Sequence, residues 1–443
     1  MVKAAESELL ADLYPAFNEY ASKQVKQIME STDGRSYENG TYQGTFVGLP
    51  NVSVETDGIY IYFIRQDWLD ECGLEVPKTV ADLENAARTF MEKGLSPNYA
   101  IAGVGQGVRA YANFLESGNK SYGFDAVFQA MDSYPGFFMK DAEGKIYYGT
   151  NTEETKKTLE LLAKWYADGL INPELGVSTN GDEAAGVKGG TCGIFMGPWW
   201  SLGYGNGDSY KNDPEANWQA YPLYSDDGKW NVKIKDCGSS YTIVNADASD
   251  DVKKAVVIAN NALVRDESIM DTSVAIDWWP LRNTMAAMDE CEHEYQEIVK
   301  YLKGETKAED YNVPGSLYKN LYSDILSVYE VISKDYDPNE RLNVTDMDVM
   351  TNNGQFNRLT AILIGDRPYA TIEPDKKVES EIYYTIDVFD RYWTQLQDLE
   401  DQTVMSIITG KSDISAFDNY VEQWNSLGGE EILAGIEEFL ANS

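Results

Sequence analysis

The 443-residue sequence has little histidine and few basic residues. A metal site or a Ser–His–Asp catalytic site would depend on its one histidine, His293, so we expect no metal, no cofactor and no catalysis of that kind. The 73 acidic residues outnumber the 36 basic ones and give a formal net charge of −37. Nucleic acids and anionic membrane surfaces need clustered Lys and Arg, so both are poor partners for this chain.

Cysteine is also scarce, and the sequence lacks long apolar runs. Cys72, Cys192, Cys237 and Cys291 show no CxxC spacing, and they allow three disulfide pairings or none. No run approaches the ~18 consecutive apolar residues that a membrane span requires. The first eight residues have no apolar core of a signal peptide. We therefore expect a soluble chain and leave its disulfide state open.

Aromatic residues, in contrast, are plentiful, with 30 Tyr and 10 Trp. Flat amphipathic rings suit surfaces that recognise neutral polar ligands. The length predicts two or three structural units, and a hydrophobic content of 43% is enough for sizeable cores.

Short apolar segments alternate with longer amphipathic ones along the chain. Segments 59–64 and 241–245 are typical of strands, and helices are indicated from Thr79 to Gly94 and from Thr152 to Gly169. This alternation predicts an α/β fold with largely parallel sheets covered by helices. Such sheets bind ligands beyond their strand ends, and two lobes with a cleft between them fit a chain of this length.

The segment 193–200 combines a short buried strand with a pair of adjacent tryptophans. Gly197 and Pro198 end the strand, because proline lacks the N–H that a strand ladder uses. Trp199 and Trp200 follow, and then a glycine-rich loop. Two interpretations have about equal support from the sequence. Either the rings face a cleft, or one ring packs in a core and the other covers it.

Several segments, in order along the chain, resemble family 1 extracellular solute-binding proteins. Arg65-Gln-Asp-Trp-Leu leading to Pro77-Lys-Thr79, and the strand ending in Gly197-Pro-Trp199, are similar to family motifs. Further similar segments are 165–174, 220–228, 399–410 and 417–429. The last of these is similar to the large lipid-anchored members of Gram-positive bacteria.

The resemblance implies a periplasmic-binding-protein-like type II fold of two α/β lobes joined by a hinge. Lobe one would comprise residues 1–55 and 240–365, and lobe two residues 56–239 and 366–443. The family normally starts with a signal peptide, a lipid-modified cysteine and a strand–helix–strand unit. Here the chain begins in what resembles the helix after that unit, so we expect the first lobe to be incomplete.

The function implied by the resemblance is binding rather than catalysis. A monomer would bind a carbohydrate, most naturally an oligosaccharide, between its lobes and deliver it to the permease subunits of an ABC importer. It would act outside the cell, lipid-anchored in its full-length form. Two alternatives stay open: the same fold binding a peptide or an acidic solute, and a carbohydrate-active enzyme, which needs two suitably spaced carboxylates.

The ligand-binding residues implied by the resemblance are mostly aromatic. Trp199 would stack on a sugar ring, with Trp200 as its supporting or core neighbour; Ala substitution should then cost binding at Trp199 and stability at Trp200. Trp278 and Trp279 resemble a second platform, although one of them could equally be core. The remaining candidates each have a plain alternative: Trp393 (packing under its own helix), Asp57 (a solvated acid), Arg282 (a surface ion pair) and Tyr369 (the weakest candidate).

Overall fold

The computed structural model describes residues 1–116, 120–178, 184–261, 285–318, 320–348 and 353–442. It mixes helix and sheet and is about 49% helical. The chain divides into two compact units. Unit 1 comprises residues 1–57 and 236–329, and unit 2 comprises residues 58–235 and 330–443. The chain therefore passes between units at 57/58, 235/236 and 329/330.

Two unit boundaries, 57/58 and 235/236, lie within a few residues of the expected lobe boundaries at 55/56 and 239/240. The segment 330–365, which was expected in lobe one, lies in unit 2. It packs on other parts of that unit. The side-chain amide of Gln219, on a strand of unit 2, donates to the carbonyl of Leu342. Residues around Gly365 in turn pack directly against Trp199.

The strands are short. In chain order they are β1 (Thr41–Tyr42), β2 (Thr45–Phe46), β3 (Gly48–Pro50), β4 (Ile61–Arg65), β5 (Phe138–Lys140), β6 (Ile146–Tyr148), β7 (Ile194–Gly197), β8 (Trp218–Tyr221), β9 (Asn231–Ile234), β10 (Tyr241–Ile243) and β11 (Lys376–Glu379).

The expectation of largely parallel sheets is wrong for these strands. β4 lies between β7 and β8 and is antiparallel to both. The pairs β1–β2, β3–β10 and β5–β6 are also antiparallel, and among the described ladders only β9–β11 is parallel. Alternation of short apolar runs with helices cannot separate the two cases, because an antiparallel strand buried on both faces is also continuously apolar. All five residues of β4 are buried.

Helices fill most of the remaining described chain. In residues 1–261 they are Val2–Glu6, Tyr14–Tyr20, Lys23–Glu30, Arg35–Gly40, Gln66–Cys72, Val80–Glu92, Asp125–Ala130, Glu153–Ala167, Ala185–Lys188, Gly203–Asn206, Asp208–Asn212 and Asp250–Asn261. In residues 285–442 they are Glu290–Leu302, Leu321–Val331, Asn353–Thr360, Arg367–Thr371, Phe389–Ile408, Ala416–Trp424 and Glu430–Asn442.

Local signals place the helix ends of unit 2. The Thr79 hydroxyl accepts from the backbone of Asp82, whose carboxylate accepts from the Thr79 backbone, so the predicted capping box is confirmed. Thr152 caps the helix Glu153–Ala167 in the same way through its hydroxyl. Gly169 follows that helix with φ +76°, a conformation that glycine adopts without a Cβ penalty.

Each unit has its own core. In unit 1, Leu49 of β3 and Val244, which directly follows β10, cluster with Phe17, Val25 and other apolar side chains. In unit 2, Phe63 of β4 stacks on Phe195 of β7 with ring centroids 4.6 Å apart. Three tryptophans of unit 2 are also buried: Trp68, Trp165 and Trp424.

Candidate functional site

The candidate site begins where β7 ends. All four residues of β7 are buried, and Pro198 follows with a φ of −69°. Residues Trp199–Ser201 form a 3₁₀ turn, and the short helix Gly203–Asn206 continues it. Gly197 is required here because a Cβ at this position would overlap the Ser201 hydroxyl. We call residues 199–206 the aromatic turn.

The two adjacent tryptophans differ in burial. Trp199 is only 7% exposed, and a Cβ on Gly365 would overlap its carbonyl oxygen. Trp200 is half-buried. This order is the reverse of the predicted one, in which Trp200 was the core or supporting residue. The reason is tertiary, because the residue that packs on Trp199 lies far along the chain at Gly365.

Tyr204 adds a second partly exposed ring to the aromatic turn. It is 53% exposed and follows Trp200 by four residues along a helical path. Residues with this spacing lie on one face of a helix. Trp200 and Tyr204 are therefore two partly exposed rings four residues apart in the aromatic turn. The glycine-rich composition of 203–207 predicted a plain turn, and Tyr204 was not among the predicted site residues.

A second segment, residues 120–125, holds the aromatic turn in place, and we call it the support loop. The Ser121 hydroxyl donates to the Ser201 hydroxyl at 2.8 Å, and the Tyr122 hydroxyl donates to the Asn206 side chain at 2.7 Å. The Tyr122 backbone N–H donates to the carbonyl of Met196 in β7. The turn is thus anchored at both ends, which limits the conformational freedom that ligand binding would otherwise remove.

The arrangement suits a ring-shaped polar ligand. Aromatic faces accept the C–H patches of such a ligand, and the partly exposed Ser121 lies beside the turn through its hydrogen bond to Ser201. Lys120, 41% exposed at its side chain, brings one cation to the support loop and pairs with Glu116 at 2.9 Å. In the parts of the chain that the structure describes, no group of His, Cys, Asp and Glu side chains could hold a metal ion.

A family model described as bacterial extracellular solute-binding protein matches residues 1–262 of this chain. That span is more than half of the 443 residues. The chain belongs to this family of solute-binding proteins.

One curated relative of this solute-binding protein is the polygalacturonan/rhamnogalacturonan-binding protein YtcQ of Bacillus subtilis. It is 26% identical over 141 residues, which cover 30% of this chain. The match spans 25% of YtcQ itself, so the function of that whole protein is not carried over here.

Solved structures share the fold, which is periplasmic-binding-protein-like type II as predicted. The alginate-binding protein AlgQ2 aligns with a TM-score of 0.59 and 13% identity, covering 99% of this chain and 83% of that one. FusA of S. pneumoniae, solved with kestose, gives 0.56 at 14% identity and covers 100% and 86%. A solute-binding protein of Bifidobacterium longum infantis described as HMO-binding gives 0.56 at 15% identity and covers 98% and 84%.

Two other predicted site residues of this solute-binding protein lie inside unit 2. Trp393 is 6% exposed and packs against Phe389 and Phe114, with ring centroids 5.4 and 5.3 Å away. Tyr369 is 8% exposed; its hydroxyl donates to the Ile59 carbonyl and its ring lies 5.6 Å from that of Trp230. Both therefore have packing partners in the core, as the plain alternative for Trp393 supposed.

The remaining candidates fall elsewhere. Asp57 is half-buried in a 3₁₀ turn of unit 1, Glu55–Gly58, and its backbone N–H donates to Val54. Trp278, Trp279 and Arg282 lie outside the described residues. Among the described candidates, Trp199 and Trp200 adjoin each other in the aromatic turn, Trp393 and Tyr369 lie in the packed interior of unit 2, and Asp57 lies in unit 1.

The histidine and the thiols show no sign of reactive chemistry. His293 stacks on Tyr318 with ring centroids 3.7 Å apart, and burial lowers its pKa. All four cysteines are free thiols. Burial raises the pKa of both Cys192 and Cys237 to about 12, which keeps these thiols protonated near neutral pH. No described helix is long and apolar enough to cross a membrane.

Proposed function

We propose that this solute-binding protein binds an oligosaccharide at the aromatic turn and delivers it to the permease subunits of an ABC importer. The observation that carries the proposal is the pair of partly exposed rings, Trp200 and Tyr204, in a turn that the support loop holds in place. A pyranose ring offers flat C–H surfaces to such a platform and hydroxyls to its polar rim.

The names of the relatives support a carbohydrate. YtcQ is described as binding polygalacturonan and rhamnogalacturonan, AlgQ2 as binding alginate, and FusA was solved with kestose. Two of these three names refer to acidic sugars. An acidic oligosaccharide is therefore the second candidate ligand, and Lys120 is the cation closest in sequence to the contacts of the support loop.

The finer features of the proposal follow from the family. The ligand would lie between two lobes that close around it, because only the closed state contacts it from both sides. The protein would act as a monomer outside the cell, anchored by lipid in its full-length form. It would release the ligand unchanged.

The direct test is a titration of the purified chain with defined oligosaccharides while Trp fluorescence is recorded. The panel contains oligogalacturonides, alginate oligosaccharides, fructo-oligosaccharides and a neutral glucan series. Saturable binding of at least one member supports the proposal. If no member alters either fluorescence or melting temperature, the carbohydrate proposal is wrong.

Matched variants assign the binding to the aromatic turn. Tyr204→Ala should weaken binding, whereas Tyr384→Ala, which removes another partly exposed tyrosine (38% exposed), should not. Equal effects would place the ligand elsewhere. Chromatography of the bound sugar after long incubation tests the enzyme alternative, since hydrolysis products would contradict a pure binding role.

A further inference from the structure

Two buried lysines stand at the end of β9. Lys233 lies within the strand Asn231–Ile234, and Lys235 directly follows the end of that strand. They project from the same side of the extended backbone because side chains alternate. Lys233 is 0% and Lys235 5% exposed. Lysine is almost never buried to this extent unless it is paired, so both amines need an account.

Lys233 has a conventional ion-pair environment. Its amine lies 2.7 Å from the carboxylate of Asp125, which is also buried, and donates to the carbonyls of Ala112 and Pro135. Asp125 in turn accepts from the Ala112 backbone N–H. Asp125 is the last residue of the support loop, so this ion pair fixes the end of that loop to β9.

Lys235 has a different environment. Its amine donates to the carbonyls of Asn113 at 3.1 Å and Glu116 at 2.6 Å. Among the ion pairs of the described residues, none includes Lys235. The pKa of Lys235 is lowered to about 7, mainly by burial and also by the neighbouring charges of Lys233 and Lys120. The carboxylates of Asp125 and Glu116 act in the opposite direction. A neutral amine has two N–H groups, and two carbonyls accept them.

Lys235 is the last residue of one chain segment of unit 2, and it also contacts the first residue of that segment. That segment runs from residue 58 to residue 235. The Lys235 side chain packs directly on Gly58, where any Cβ would overlap its Cβ and Cγ. A single side chain therefore ties together the two positions at which the chain enters and leaves this segment.

A series of contacts leads from Lys235 to the aromatic turn. Glu116, whose carbonyl Lys235 holds, pairs through its carboxylate with Lys120. The backbone of Lys120 hydrogen-bonds Tyr60, which lies two residues after Gly58. Lys120 directly precedes Ser121, whose hydroxyl contacts Ser201.

A purely structural role would be served better by an apolar side chain. Burying an amine costs free energy, and replacing buried charged groups by apolar ones of similar volume is often neutral or stabilising. The amine at Lys235 instead gives directional contacts to two particular carbonyls. Such contacts fix relative position, which an apolar stem of the same length would not do.

We propose that Lys235 is a positioning residue for the ligand site, fixing the segment ends at 58 and 235 to the support loop and so to the aromatic turn. The proposal rests on the proposed function for its ligand. Its consequence is that ligand binding and the backbone at the segment ends are coupled, and such coupling is reciprocal.

The first test compares Lys235→Met with Lys157→Met, a matched change on the exposed face of a unit 2 helix. Amide hydrogen exchange is followed without ligand at residues 120–125 and 199–206. Lys235→Met should speed exchange at both segments by about tenfold, roughly the effect of losing one or two hydrogen bonds. The helix Glu153–Ala167 should exchange at the wild-type rate, and Lys157→Met should change neither segment.

Two results would overturn the proposal. Unchanged exchange at 199–206 would show that Lys235 does not position the aromatic turn. Faster exchange throughout unit 2, the helix Glu153–Ala167 included, would show a merely structural role. Because no ligand is added, this comparison stands even if the carbohydrate panel finds no ligand and the proposed function fails.

The second test uses the wild-type protein, so that it does not depend on the folding of Lys235→Met. The panel oligosaccharide that binds the wild type is added, and exchange is measured at residues 59–62 and 232–235. Protection of these amides in the wild type supports the coupling. Protection confined to the aromatic turn contradicts it. In Lys235→Met the same oligosaccharide should bind about tenfold more weakly.

Discussion

Unit 2 contains two aromatic regions that use the same residue types differently. Around Trp393, rings from four separate segments enclose one another, and the side chain is 6% exposed. In the aromatic turn, Trp200 is half-buried and Tyr204 is 53% exposed. The difference lies in the neighbours: distant segments fill the space around Trp393, whereas Trp200 and Tyr204 keep part of their surface uncovered.

The polar groups of the two regions differ in the same way. Beside the Trp393 cluster, the buried carboxylate of Glu400 accepts from Tyr111, Tyr148 and Thr150 and pairs with Arg109 at 2.7 Å. These partners saturate it. Near the aromatic turn, Ser121 and the side chain of Lys120 are partly exposed. A saturated polar network belongs to stability, whereas an open one is available for binding.

The largest expected effect is on the enclosed region. Trp393→Ala should lower the free energy of unfolding by about 4 kcal/mol, because it removes a large buried ring and leaves a cavity. Trp393→Phe is the matched control and should cost much less, since the ring stays and its Nε1 makes no hydrogen bond with the described residues. Urea denaturation measures both. Normal stability with weakened sugar binding in Trp393→Ala would instead place this residue in the ligand site.

A slightly smaller effect is expected for the saturated carboxylate. Glu400→Gln should cost about 3 kcal/mol of unfolding free energy, because it leaves the buried Arg109 guanidinium without its main counter-charge. Asp401→Asn is the comparison, since Asp401 also contacts Arg109 but has a 41% exposed side chain. It should cost at most about 1 kcal/mol. Equal losses for the two variants would contradict the contrast in burial.

The aromatic turn should show the opposite pattern. Trp200→Ala should weaken oligosaccharide binding by about 2 kcal/mol, or roughly 30-fold, while stability changes by less than about 1 kcal/mol. Trp199→Ala should mainly lower stability, because that ring is enclosed. Calorimetric titration together with thermal melting separates the two effects. Binding lost at Trp199 and stability lost at Trp200 would restore the assignment expected from sequence.

The last expected effect concerns Lys235 and depends on pH. In the unfolded chain a lysine stays protonated up to about pH 10.4, whereas burial lowers the pKa of Lys235 to about 7 in the fold. Between these values the unfolded state binds more protons, so stability rises with pH by at most about 1.4 kcal/mol per unit. Below about pH 7 both states are protonated and the slope disappears.

Urea unfolding at pH 6, 7, 8 and 9 tests this slope. Other groups titrate over the same range, so the quantity to follow is the difference between wild type and Lys235→Met. That difference should move in favour of the wild type as the pH rises from 7 to 9. Parallel curves for the two proteins would show that Lys235 keeps an ordinary pKa in the fold.

Sequence patterns predicted local structure more successfully than spatial relations. Thr79, Thr152 and Gly169 mark helix ends through contacts within a few residues, so their roles are visible in the sequence. The orientation of β4 relative to β7 and β8 is a long-range property, and its prediction was wrong.

The candidate site shows the same limit. The sequence places Trp199 and Trp200 at a strand end, but their different burial is not visible there, and Gly365, which packs on the Trp199 backbone, lies far along the chain. Lys235 gives no sequence signal at all, since its burial depends on carbonyls at 113 and 116 and on Gly58. Such residues become visible only when distant segments are brought together.

The parallel pairing of β9 with β11 also sets an order of events during synthesis. Beside it, the Trp230 backbone N–H bonds the carboxylate of Asp375, 145 residues later. At about 5–20 residues per second, a ribosome needs on the order of ten seconds to make the intervening chain. Unit 1 is completed within that interval, because its second segment runs from residue 236 to residue 329. Unit 1 can therefore fold before β11, the strand that pairs with β9, has been synthesised. Unit 2, which carries the aromatic turn, is completed last.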